Sequence, residues 1–270
     1  MSLSSSLRVL KNMIGEDEHF HRLGCRRGWF LQFYYRGRLN DRLGRTQPWG
    51  DVELSAFGRK VLLSLTPSYL GGLSGIFVDS EYDCAAQLGF EPRTILDLGA
   101  NIGFGSIFLS ALFPQAVIAA VEPDPRNVDA LKRNLQRNGL AIRTFEAAAG
   151  SREGTMQLRF GDDPLCSSLE TTNLHDLPNA VPVPVVTVPG LLRELGWRQL
   201  DLLKVDIEGA EEDLFTNDAG WLANVRAIVL EIHPNTTPAH IGELLRPHGF
   251  TLARLGAGRE PVYLATRPAA

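Results

Sequence analysis

The sequence predicts an α/β fold: a mostly parallel sheet with helices on both faces. Two patterns carry that prediction. From about residue 75 onward, short apolar runs alternate with helical patterns, which is the signature of βαβ units. One of these runs, 94–98, passes through a glycine-rich turn directly into a helix, the arrangement that opens a nucleotide-binding, Rossmann-like domain.

The elements follow in order. Runs of β-branched and apolar residues that end in turn residues give strands at 94–98, 116–121, 142–147, 200–206, 227–233, 251–255 and 261–266. Apolar residues at helical spacing give helices at 103–112, 126–138, 210–216 and 238–245. Pro125 suits a first helical position and Asn138-Gly139 a helix stop. A long connection, 150–198, separates the third and fourth core strands and carries strand-like pieces at 155–160 and 181–188; a connection of that length suits a substrate wall. Residues 1–74 read as a partly helical N-terminal extension, and 75–270 as the main domain with the segment near 151–198 inserted.

Composition sets limits. Of 270 residues, 44% are hydrophobic and 21% charged, and the formal net charge is −4, so nothing global suggests a nucleic-acid partner. Cys25, Cys84 and Cys166 are widely spaced with no CxxC pair, which excludes a zinc ribbon or disulfide framework and fits a reducing, cytoplasmic compartment. Neither a secretory leader nor a membrane span is read, and a homodimer is left open. Locally, 21–45 holds seven arginines and one acid, interleaved with Trp29, Phe30, Phe33, Tyr34 and Tyr35. That stretch reads as a packing element that also forms a lid over the pocket, ahead of a nucleic-acid or membrane surface.

The turn itself is informative. Asp97 ends the strand and Gly99, Asn101, Gly103 and Gly105 follow at alternate positions, so the dinucleotide register Gly-x-Gly-x-x-Gly fails. An acid two residues before the first glycine suits a cationic amino-acid ligand, with Asp97 facing the ammonium of a methionine moiety. Glu122, the first polar residue after the second apolar run, stands where a carboxylate can take both ribose hydroxyls. Asp124 suits the cap of the next helix. Glu146 and the small residues from Ala147 onward suit an adenine ring and its exocyclic amine.

Several segments together resemble the FkbM-type family of S-adenosylmethionine-dependent methyltransferases. They are 76–82 (IFVDSEY), 97–103 (DLGANIG), 122–125 (EPDP), 134–138, the signature segment 201–211 (DLLKVDIEGAE) and 229–233 (VLEIH). The resemblance covers roughly 75–234. It implies the class I methyltransferase sheet, seven strands with the last antiparallel, S-adenosylmethionine as cofactor, and methyl transfer to a hydroxyl of a sugar, polyketide or other small metabolite. One departure is that Val188-Pro189 stands where the family commonly has Leu-Asp before a helix.

The candidate cofactor set is Tyr82, Asp97, Gly99, Ala100, Asn101, Gly103, Glu122, Pro123, Glu146, Ala147 and Asp206. The candidate catalytic set is Asp206, Glu231 and His233. Strand alternation puts Lys204 and Asp206 on one face of the fourth strand, and Val229, Glu231 and His233 on one face of the fifth. A hydroxyl acceptor needs a base; Asp206 or His233 is expected to take its proton, with Glu231 orienting its partner. No metal is assigned, although carboxylates beside an imidazole also suit magnesium or manganese. Lys204 pairing with a nearby carboxylate, and Glu208 and Glu211 as first-turn helix acids, are the plainer readings of that region. Two alternatives remain: an NAD(P)-dependent oxidoreductase, and a non-catalytic cofactor-binding protein of the same fold.

Overall fold

The computed structural model describes residues 3–160, 167–169, 179–256 and 260–267. Its centre is a seven-stranded sheet that follows the alternation of the sequence: β3 (Thr94–Leu98), β4 (Val117–Glu122), β5 (Arg143–Glu146), β10 (Leu200–Val205), β11 (Val225–Glu231), β12 (Thr251–Arg254) and β13 (Val262–Thr266). The spatial order is β12-β13-β11-β10-β3-β4-β5. β13 runs antiparallel to both its neighbours, and the other pairings are parallel. This is the seven-stranded arrangement that the resemblance implies. The chain order reverses between β3 and β10, so the crevice beyond their carboxyl ends is the place where open α/β sheets take ligands.

Both sheet faces are covered. Leu96 and Leu98 of β3, Leu203 and Val205 of β10 and Ile228 and Leu230 of β11 share one core with α7 (Val188–Leu195), α8 (Glu211–Thr216) and α9 (Pro238–Leu245). Ile95, Leu202, Ala227 and Val229 face the other core, with α5 (Phe104–Leu112) and α6 (Pro125–Arg137). Asp97 and Lys204 project to that second face by the same period of two.

Residues 3–74 hold more regular structure than expected. They form α1 (Leu3–Arg22), α2 (Trp29–Arg42) and a hairpin of β1 (Gly50–Ala56) and β2 (Arg59–Leu65), and then α3 (Leu70–Phe77), which crosses the expected boundary. A four-residue α4 (Ala85–Leu88) precedes β3. The hairpin alternates Val52, Leu54, Ala56, Val61, Leu63 and Leu65 inward, and all six are buried in the same core as Ile107 and Phe108. Two asparagines one turn apart, Asn134 on α6 and Asn138 at its C-cap, hold β2: the Asn134 amide exchanges hydrogen bonds with the Ser64 N–H and C=O, and the Asn138 amide does so with Leu62. Residues 11–74 therefore contribute to one core with the sheet.

The long connection forms a second sheet, β6 (Ala148–Ala149), β7 (Gly154–Phe160), β8 (Ser167–Leu169) and β9 (Asn179–Val186), in the order β6-β9-β7-β8. Cys166 lies outside the described residues. The strand expected to reach Val188 ends at Val186, because the Thr187 side chain caps α7 by accepting from the Gly190 N–H. That is the job of the Val188-Pro189 departure: proline suits the first turn of a helix, where no N–H partner is lost.

Candidate functional site

Two cavities open at the carboxyl ends of β3, β4 and β10, and they share Gly99, Asn101, Asp206 and Glu208. The first, of about 590 Å³ with its mouth, is walled by Val121, Glu122, Pro123 and the alanines 147–149. The second, of about 880 Å³ with its mouth, runs over the glycine turn to Tyr82 and Glu231. Both volumes suit a small-molecule ligand.

The glycine turn is shaped by protein neighbours as well as by any ligand. A Cβ at Gly99 (φ +77°) would overlap the backbone carbonyl of Asp206, and one at Gly103 would meet Leu131 of α6 at 2.7 Å. β3 and β10 therefore approach too closely for a side chain at position 99. Glu122, 5% exposed, accepts the Asn101 N–H at 2.8 Å on Oε2 and the Asp124 N–H at 3.0 Å on Oε1. These bonds aim its carboxylate along the turn and leave lone pairs for a diol in the first cavity. Burial raises its pKa to about 7, against the pull of those N–H donors. A flat alanine wall suits a purine face, and a buried carboxylate on the same wall suits a ribose, so the first cavity fits a nucleoside. Asp124 caps α6 through the Arg126 N–H as expected.

The expected role of Asp97 meets a different geometry. Asp97 is fully buried: its Oδ1 lies 3.0 Å from Lys204 Nζ, its Oδ2 accepts from Ser106 Oγ at 2.6 Å, and it lines neither cavity. Lys204 also donates to the Gly99 carbonyl at 2.8 Å and lies 3.5 Å from Asp206. Burial alone would lower its pKa, but Asp97 and Asp206 reverse that and hold it charged. Gly103, Glu146 and His233 also line neither cavity, and Glu146 is exposed. Tyr82, Gly99, Ala100, Asn101, Glu122, Pro123, Ala147 and Asp206 all do.

The catalytic candidates do converge. His233 Nε2 lies 3.9 Å from Asp206 and from Glu231, and 3.5 Å from Glu208. Tyr82 donates to Asp206 Oδ2 at 3.0 Å. Glu211 stands in the first turn of α8, as read, and is fully buried: it lies 2.8 Å from His233 Nδ1 and accepts the Gly209 N–H. Burial alone would lower the His233 pKa, but Glu211, then Asp206 and Glu208, raise it to about 10. These carboxylates favour the protonated imidazole, which weighs against His233 as the resting base. Burial, with Asp206, pushes Glu231 up to about 9 and Glu208 up to about 7. Asp206, Glu208 and His233 each offer an atom within 4.8 Å of the others, a spacing that would also suit a cation.

Sequence reasoning missed three parts of the second cavity: Glu81, Glu260 and the glycine face of α3, Gly71, Gly72 and Gly75. Glu81 sits beside Tyr82 in a segment already singled out; nothing marks Glu260. The basic stretch 21–45 contributes no wall residue to either cavity. It packs, with Phe30 and Phe33 buried, and Tyr69 and α3 supply the N-terminal wall instead.

Comparison with known proteins agrees with this geometry. A family model described as a Methyltransferase FkbM domain matches residues 97–252. Methyltransferase sdnD of Sordaria araneosa is 33% identical over 212 residues, covering 66% of this chain and 81% of that one. The 31-O-demethyl-FK506 methyltransferase FkbM of Streptomyces tacrolimicus is 28% identical over 227 residues, covering 71% and 84%. The hexuronic acid methyltransferase AglP of Haloferax volcanii is 24% identical over 157 residues, covering 57% and 62%.

Proposed function

The chain belongs to the FkbM methyltransferase family, and from that membership we propose that it moves a methyl group from S-adenosylmethionine to a hydroxyl oxygen of a small metabolite such as a sugar or polyketide. Relatives named for a 31-O-demethyl compound and for a hexuronic acid support an oxygen acceptor of that kind. The observation that carries the reading is the junction of the two cavities at Asp206: a nucleoside-shaped slot on one side, a carboxylate-lined chamber on the other.

When bound, S-adenosylmethionine supplies a methyl group on a cationic sulfur. Glu122 holds the ribose hydroxyls, and the wall of Pro123 and Ala147 excludes water from the base. Asp206, fixed by Tyr82 and Lys204 on one oxygen, keeps Oδ1 toward His233 and accepts the acceptor's proton. His233, held cationic by Glu211, stabilises the Asp206 carboxylate and orients it. Glu231, which favours its protonated form, donates to the acceptor or to Asp206. Alignment of acceptor and methyl supplies the rest of the rate.

The test is transfer of label from methyl-labelled S-adenosylmethionine to a panel of sugars, polyketide alcohols, amines and carboxylic acids. Label on hydroxyl oxygen is expected. Label only on nitrogen or carboxylate would refute the oxygen acceptor, and tight NADH binding without any transfer would favour an oxidoreductase.

A further inference from the structure

Residues 21–45 wall neither cavity, and their placement gives them another use. The stretch carries seven arginines and one acid, a formal charge of +6, in a chain whose total is −4. α2 is held firmly on its inner side. The buried Asp17 carboxylate accepts the Gly28 and Phe30 N–H groups at the helix start. Phe30, Phe33 and Gly37 are buried, and a Cβ at Gly37 would stand 2.5 Å from Pro67. The outer side is different. Tyr35, Leu39 and, at the C-cap, Leu43 follow at intervals of four, which stacks them in one row along the helix. They are 52%, 56% and 52% exposed. At about 3.6 residues per turn, Arg36 falls on one flank of that row, and Arg38 and Arg42 fall on the other. Arg26 and Arg27 meet Gln32 and Glu18. Among the described residues, the exposed side chains of Arg36, Arg38, Arg42 and Arg45 have no hydrogen bond, ion pair or ring partner.

We propose that the outer face of α2 docks on an anionic lipid bilayer: Tyr35, Leu39 and Leu43 enter the boundary between headgroups and acyl chains, and the flanking arginines meet lipid phosphates. An apolar row bordered by arginines is the pattern of a helix that lies in the plane of a membrane interface. Arginine stems can follow the apolar row while their guanidinium groups reach phosphate oxygens. Two other occupants fit this face less well. Nucleic acid would need free rings as stacking platforms. Here Trp29 stacks on Phe33 and Phe30 on Phe20, each pair with centroids 5.4 Å apart, so the outward row is mainly leucine. A second copy of the chain on a two-fold axis would set the basic face against itself. Docking through α2 leaves the methyl-transfer groups untouched, because no residue of α2 lines either cavity.

The experiment is co-sedimentation of the full chain with vesicles of pure phosphatidylcholine and of phosphatidylcholine mixed equally with phosphatidylglycerol. Wild type is expected to bind the anionic vesicles and to leave the neutral ones. Binding should largely disappear in 1 M salt, where the screening length is about 3 Å. Arg36→Gln, Arg38→Gln, Arg42→Gln together should weaken binding roughly a hundredfold, at about fivefold for each arginine near an anionic surface. Leu39→Gln, Leu43→Gln keeps every charge and should weaken it about tenfold, the scale of two half-buried leucines. Both variants change only exposed side chains, and urea midpoints matching wild type would confirm that they fold. No binding of wild type to anionic vesicles, or equal binding to neutral ones, would overturn the proposal without any variant. A leucine variant that binds as wild type does, with a single-stranded oligonucleotide displacing the chain from the vesicles, would make α2 a general polyanion surface and also overturn it.

Discussion

Lys204 on β10 stands in register with Asp97 on β3, and Nζ and Oδ1 lie 3.0 Å apart with both side chains almost wholly buried. The pair ties the two strands at the switch point together directly behind the glycine turn. Replacing Lys204 with Met would strand a buried carboxylate. The expected cost is about 3–5 kcal/mol in urea unfolding, the scale for removing one partner of a buried pair. The double variant Lys204→Met, Asp97→Asn should recover a large part of it. A cost near zero for the single variant would show that the pair does not hold the two strands together.

Glu122→Gln keeps the shape of the side chain and removes the charge that would meet the ribose. S-adenosylmethionine affinity is expected to fall about 10- to 100-fold, the value of charge-assisted hydrogen bonds. Titration calorimetry reads it. Unchanged affinity would take the diol away from Glu122.

Asp206→Asn should lower kcat about 10²- to 10⁴-fold, the usual contribution of a general base. Burst and steady-state turnover with a confirmed acceptor would measure this. A full rate in that variant, with the loss appearing in Glu208→Gln instead, would assign the base to Glu208, which lines the same junction.

The assigned proton transfer needs no metal ion, so turnover is expected to survive EDTA. Activity lost to the chelator and restored by magnesium would instead indicate a cation held by Asp206, Glu208 and His233.

Stability should fall as pH rises. Glu81, Glu208, Glu231 and His233 all hold protons more tightly in the folded chain than their usual values of 4.5 and 6.5. A group with a raised folded pKa contributes in full below its unfolded value and loses that contribution as pH climbs through the folded one. The urea midpoint is therefore expected to decline from about pH 5 to pH 10. His233→Gln should flatten the part above neutrality, where His233 titrates at about 10. A midpoint that rises across this interval would contradict the protonation states described for the site.

The strands of the main sheet and the helices α5, α6, α8 and α9 were legible because burial on both faces of a parallel sheet leaves unbroken apolar runs, as in β10, where every residue is buried, whereas α7 was not read. The convergence of Asp206, Glu231 and His233 was legible for the same reason: period two and parallel register place strand ends side by side. The hairpin of β1 and β2 was not recognised. Its alternation was present, but charged residues on the outer face made 50–65 look irregular. Glu81 and Glu260 enter the site from segments outside any strand end, where no periodicity predicts direction. Asp97 was identified as a special residue, but its proximity to Lys204 was not legible, since it depends on a pairing 107 residues apart.

The amide ladder from Asn134 and Asn138 to β2 fixes where this chain can be trimmed. A truncation that began at residue 75 would look reasonable from motif boundaries alone. It would leave two asparagines reaching for a vanished backbone and remove the Phe57 ring that packs edge-on against Phe108 of α5. Expression screens for this protein should therefore keep the hairpin with the catalytic half, and chimeras should not be joined at the start of the signature motifs.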